Sequence, residues 1–153
     1  MVRLVVSEGS RLILELTQRD GEVLGDLLSL YPIKASTYYR LSKQKDPRAD
    51  HKLLDQILSE KKAESKRRLA TFISELKRLP AHNGKIRLHL DRVQIDWLLQ
   101  VLNELRVGSW FALGSPDEKH GEAPQITERT AAYFCALRLT DYFQSNLLQA
   151  LRQ

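Results

Sequence analysis

Asn103 and Arg106 are the polar pair in this chain best placed to do chemistry. They stand three residues apart inside an apolar stretch, so one helical turn would bring an amide and a guanidinium together. Asparagine is a poor residue for a helix interior because its side chain competes for backbone groups. Its presence there has two readings. The pair holds an anion or orients a partner, or Arg106 pairs with Asp141 or Glu128 and fastens a following helix, the commoner use of an internal charge.

A second concentration of chemistry is basic. Arg40, Lys43, Lys45, Arg48 and Lys52 precede Lys61, Lys62, Lys66, Arg67 and Arg68. Such a segment could neutralise nucleic-acid phosphates, where counterion release drives association. Tyr38 and Tyr39 lie beside it and could stack on bases. Six acidic residues are interleaved between Arg40 and Arg78, however, against twelve basic ones, which is also the pattern of a solvated helix face. The remaining types point to no reaction. His51, His82, His89 and His120 show no zinc-ligand spacing with one another or with Cys135. The glycines form neither a dinucleotide nor a P-loop pattern. No Ser, Thr or Cys has a recognisable nucleophile setting. No metal or cofactor is expected, and nothing in these patterns specifies an enzyme.

The 153 residues fit a single globular domain, 1–153, large enough to bury most of its unfolded surface. A single cysteine allows no disulfide, and its neighbours Tyr133, Phe134, Ala136 and Leu137 predict a small buried hydrophobe. No apolar run reaches membrane-spanning length, and residues 1–6 lack a signal-peptide pattern. A reducing cytoplasm fits these features. The net charge of +5 resides in the Arg40–Arg78 segment, at +6, and leaves the rest of the chain at −1.

The elements that must position these residues follow from periodicity. Residues 2–6 and 11–16 read as short strands joined by a turn at 7–10. Thr17 caps a helix whose stripe is Val23, Leu24, Leu27, Leu28 and Tyr31, ended by Pro32. Residues 33–49 are irregular. Asp50 caps a long helix running to about Leu79, with apolar faces at Leu53, Leu54, Ile57 and Leu58 and again at Leu69, Phe72, Ile73 and Leu76. The polar stretch 59–68 between those faces means one helix crossing solvent or two helices meeting. With no Gly or Pro to interrupt, one helix is favoured. After a loop at 80–84, Ile86, Leu88 and Leu90 alternate with Arg87 and His89 as a half-buried strand. Asp91 and Gln94 form a capping-box-like start. The next helix is apolar on most sides, around Trp97, Leu98, Val101, Leu102 and Leu105, and belongs in the middle of the fold. Val101, Leu105, Gly108, Ser109 and Ala112 make an edge on which another helix could approach closely, and Gly114 is the stop. Residues 115–125 predict a mobile acidic loop. Thr127 caps a last helix to about Leu151, with the stripe Ala132, Ala136, Leu139, Phe143, Leu147 and Ala150.

The expected fold is α+β and mostly helical. A small antiparallel or mixed sheet, made of an N-terminal hairpin and one later strand, packs with about four helices. Residues 11–28 also overlay residues 85–102 without a gap, as two strand–cap–helix units. Their identities are Leu14/Leu88, Leu16/Leu90, Leu24/Leu98 and Leu28/Leu102. A repeat would relate the two units by a pseudo-twofold axis, although any two β-to-α transitions share this pattern.

Leu102-Asn-Glu-Leu-Arg-Val-Gly108 resembles the Leu-Asn-x-Leu-Arg segment of an uncharacterised bacterial family, the domain of unknown function numbered two thousand and seventeen. The ending 139–151 is similar to that family's closing helix, and Tyr39-Arg-Leu41 before Asp46-Pro47 to its arginine-bearing segment. The loop after Gly114 and the basic residues Lys43 and Lys45 depart from the family pattern. The resemblance implies the same order of elements and no established activity. Some members lie near a protease-adaptor gene, which implies a regulatory or adaptor role.

The expectation is thus a non-enzymatic protein that binds a protein partner or itself through the long helix and the acidic loop. The alternative is nucleic-acid binding through residues 40–68.

Overall fold

The computed structural model describes residues 2–9, 11–33, 50–116, 120–121 and 126–152. Outside them lie Tyr38, Tyr39, Arg40, Lys43, Lys45 and Arg48 of the basic segment, and Asp117, Glu118 and Glu122 of the acidic loop. Among the described residues are three strands and four helices, an α+β and mostly helical fold. Strands β1 (Arg3–Glu8), β2 (Arg11–Thr17) and β3 (Lys85–Asp91) form one sheet in the order β1-β2-β3, antiparallel throughout.

The hairpin is tighter than its turn-forming residues predict. Ser7 and Glu8 continue the ladder, opposite Leu12 and Arg11, and Gly9 turns the chain at φ 59°, a left-handed value that costs glycine little. A register shift between Leu4 and Val6 accommodates one extra residue in β1. Asn83 and Gly84, both at positive φ, close a second tight turn before β3, in which His82 and Lys85 exchange backbone hydrogen bonds.

The β2–β3 ladder pairs Leu12 with Leu90, Leu14 with Leu88 and Leu16 with Ile86. All six side chains are buried on the core face. The register centres on Leu14/Leu88, a pair that the gapless overlay makes equivalent, and this is the register that a local twofold axis requires.

Each inner strand runs directly into a helix. Thr17 ends β2 and accepts from the Asp20 backbone N–H, starting α1 (Gln18–Leu28). Asp91 ends β3 and forms a complete capping box with Gln94, starting α3 (Arg92–Ala112). The α1 helix stops at Leu28, one turn before Tyr31, and Ser29 donates to the Gly25 carbonyl.

Between these units runs α2 (Asp50–Arg78), a single helix of 29 residues. Asp50 is its first helical residue rather than its cap. The polar stretch 59–68 therefore crosses solvent in one helix, as strong helix formers without Gly or Pro allow. Its second half is anchored through buried Leu69, Phe72 and Leu76, and α1 packs against it.

The core is centred on α3. Ile95, Leu98, Leu102 and Leu105 are fully buried, each worth about 1.5–3 kcal/mol relative to exposure. The last helix, α4 (Ala131–Leu151), packs along α3 and buries Ala136, Phe143, Leu147 and Ala150. It starts later than Thr127 predicts. Residues 128–130 form a turn in which the Thr127 backbone N–H donates to the Thr130 hydroxyl, and the helix begins beyond it. Two further expectations fail on this helix. Ala132 and Cys135 are both exposed: Cys135 lies about 100° round the helix from the buried stripe, and Ala132, although in line with it, stands in the first turn, before the stripe becomes buried at Ala136. At Gly108 the close neighbour is not a helix but Ile33, whose Cβ would stand 3.1 Å from an added Cβ.

Candidate functional site

Among the described residues, the first half of α2 carries two exposed large aliphatic side chains. Leu53 is 63% exposed and Ile57 45%, and the i,i+4 spacing puts them on one face. The side chains of Leu54 and Leu58 lie outside the described ones. An exposed leucine alone needs no explanation, but two large aliphatic groups one turn apart form a ridge that a solvated helix does not require.

Further along α2 the basic residues divide. Lys61, Lys66 and Arg67 are exposed. Lys62 is half-buried and engaged. The Arg68 guanidinium lies 4.6 Å from the centroid of the Trp97 ring, which meets Phe72 edge-on at 5.9 Å. Arg68 is therefore part of the joint between α2 and α3, its charge spent on an indole face.

Asn103 and Arg106 are both exposed on α3, and Arg106 Nη2 donates to Asn103 Oδ1 at 3.1 Å. The guanidinium thus bonds one turn back along its own helix, rather than to Asp141 or Glu128. The residue between them on the same turn, Glu104, meets the hydroxyl of Tyr31, which Ser65 of α2 also reaches. Burial first, and then the Glu104 carboxylate, push the Tyr31 phenol up to about 12. Tyr31 links the chain after α1 to both α2 and α3.

A different cluster occupies the sheet face turned away from the helices. Glu15 of β2 lies opposite Arg3 of β1 on one side and Arg87 of β3 on the other. Its carboxylate receives Arg3 Nη2 at 3.0 Å, Lys85 Nζ at 3.6 Å and Arg87 Nε at 3.7 Å. The Glu15 side chain is only 11% exposed, whereas Arg3, Lys85 and Arg87 are 63%, 54% and 61% exposed. Beside them opens a cavity of about 320 Å³ lined by Val2, Arg3, Glu15, Leu16, Thr17, Lys85, Gln149 and Ala150.

Neither a family model, nor a curated protein, nor a solved structure matches the chain. Among the described residues no group of three His, Cys, Asp or Glu side chains could hold a metal ion, and no helix is long and apolar enough to cross a membrane.

The Glu15 cluster is the group that sequence reasoning misses. The polar positions Arg87 and His89 mark the outward face of β3, and Arg11 and Glu15 carry the same alternation in β2. Nothing local tells which cation stands opposite Glu15. The gapless overlay is the available signal, because antiparallel pairing about Leu14/Leu88 places Glu15 against Arg87.

Proposed function

We propose that the protein acts by binding another protein, or a second copy of itself, through the free half of α2, in a regulatory or adaptor role rather than by catalysis. The observation that carries this reading is the exposed Leu53–Ile57 ridge on a helix whose other half is firmly packed. A partner helix laid along the ridge would bury both side chains at i,i+4 spacing, a common mode of peptide recognition. The resemblance to the uncharacterised bacterial family, with its protease-adaptor neighbourhood, supports an adaptor role.

The test is a photo-crosslinking residue at position 57, compared with one at exposed Glu75 on the anchored half, in cells and after nuclease treatment. A discrete adduct from position 57 alone, lost in Leu53→Asp, supports the reading. Equal or absent adducts from the two positions refute it. Sedimentation of the purified wild type against the Leu53→Asp/Ile57→Asp variant separates self-association from a foreign partner.

Nucleic-acid binding is the second reading, favoured by exposed Lys61, Lys66 and Arg67 along α2. It requires micromolar binding to a labelled duplex or single strand that collapses as salt rises and weakens in Lys66→Ala/Arg67→Ala. Binding that ignores both salt and substitution sinks it.

A further inference from the structure

We propose that Arg3, Lys85 and Arg87, gathered by Glu15, form a binding site for a phosphate dianion, carried on a small phosphomonoester or free. The proposal is independent of the α2 surface. It rests on a charge surplus. One carboxylate needs one well-placed cation to offset its burial, yet three converge on Glu15, at 3.0, 3.6 and 3.7 Å. Three positive charges against one negative leave a local excess of two, the complement of a dianion.

Donor capacity is also in surplus. Each arginine has five N–H donors and the lysine three, while Glu15 offers two oxygens. All three cationic side chains remain more than half exposed, so most of these donors face outward. Glu15 holds the long side chains in place before a ligand arrives, which lowers the entropy lost on binding.

The cavity next to the cluster supplies the rest of a site. Arg3, Lys85 and the Glu15 carboxylate form its charged wall, Arg87 stands outside the lining, and the Thr17 hydroxyl and Gln149 amide are its neutral polar groups. Val2, Leu16 and Ala150 give an apolar side. At about 320 Å³ it lies at the small end of ligand pockets, with room for a phosphate and a compact organic group. Its walls come from β1, β2, β3 and α4, so a small anion fits better than a polymer that must track along a surface.

The experiment is titration calorimetry of the full chain with inorganic phosphate and with phenyl phosphate, at about pH 8 and about pH 5.5, either side of the second phosphate ionisation. The expected result is binding at the higher pH that weakens about fourfold or more at the lower one, as most of the ligand loses its second charge. Arg3→Ala and Lys85→Ala each weaken it by about tenfold, the loss of a charge-assisted contact. Both alanine changes fall on exposed side chains, and an unchanged melting temperature shows that the fold survives them. Tighter binding of phenyl phosphate than of phosphate assigns the site to an ester, and equal binding to the free ion. Absence of binding at the higher pH, or binding that Arg3→Ala and Lys85→Ala leave unchanged, overturns the proposal.

Discussion

Tyr31 is buried, with Glu104 at its hydroxyl, and both effects hold its proton on. Because the folded-state value is raised from 10.0 to about 12, the protonated phenol stabilises the fold. That contribution is complete below pH 10 and is lost as pH rises to about 12. Urea unfolding midpoints should therefore fall across this window, and Tyr31→Phe should flatten the fall. Tyr142, raised by burial and then by Asp20, accounts for a residual slope that Tyr142→Phe should remove. Arg68 makes a separate residue-scale prediction. Its place over Trp97 is worth about 0.5–1 kcal/mol at such an exposed site, so Arg68→Ala should lower stability by that amount. Arg67→Ala, one residue away and exposed, should leave stability unchanged within error in the same denaturation series. Neither contact can be read from local sequence. Arg68 and Trp97 meet only where α2 packs on α3, and Tyr31 meets Glu104 only where the chain after α1 reaches α3.

At the scale of elements, much is legible because the signals are local. Thr17 and Asp91 announce helix starts through the chemistry of a side-chain oxygen over free N–H groups, and both are found there. Asp91→Ala should cost about 1 kcal/mol in chemical denaturation through loss of its cap. The unbroken run of helix formers marks α2 as one piece. Thr127 misleads for an equally physical reason: its partner Thr130 closes a turn first, so the helix starts one turn late. Cys135 misleads because aromatic neighbours do not say which side of a helix is covered. Two glycines show how packing decides what propensity cannot. At Gly25 an added Cβ would meet Leu76 and Lys77 at an ordinary 3.9 Å, so Gly25→Ala should stabilise α1 by up to about 1 kcal/mol. At Gly108 the same methyl would press on the root of Ile33, so Gly108→Ala should destabilise by about 1–3 kcal/mol despite its better propensity. Thermal melts of the two variants should move in opposite directions.

The molecule as a whole is set by long-range pairings that the chain does not advertise. Leu14 meets Leu88 across the sheet, and the shift between Leu4 and Val6 helps decide that Arg3 faces Glu15. The Glu15 cluster is therefore a property of three strands at once, and the alternation within any one of them shows only that its members point outward. The α2 ridge is the reverse case: Leu53 and Ile57 are plain in the sequence, and only the fold shows that they are left uncovered. Their geometry has a mechanical side. From Leu53 to the level of Arg68 and Phe72 the helix axis runs about 25 Å at a rise of about 1.5 Å per residue. Whatever grips the ridge pulls on the long arm of a lever whose fulcrum is the Arg68–Trp97–Phe72 joint. A tilt of about 5° at that joint would sweep the tip through about 2 Å, on this arm length. Load applied at Leu53 would thus arrive as torque on α3, the helix around which the rest of the core is built.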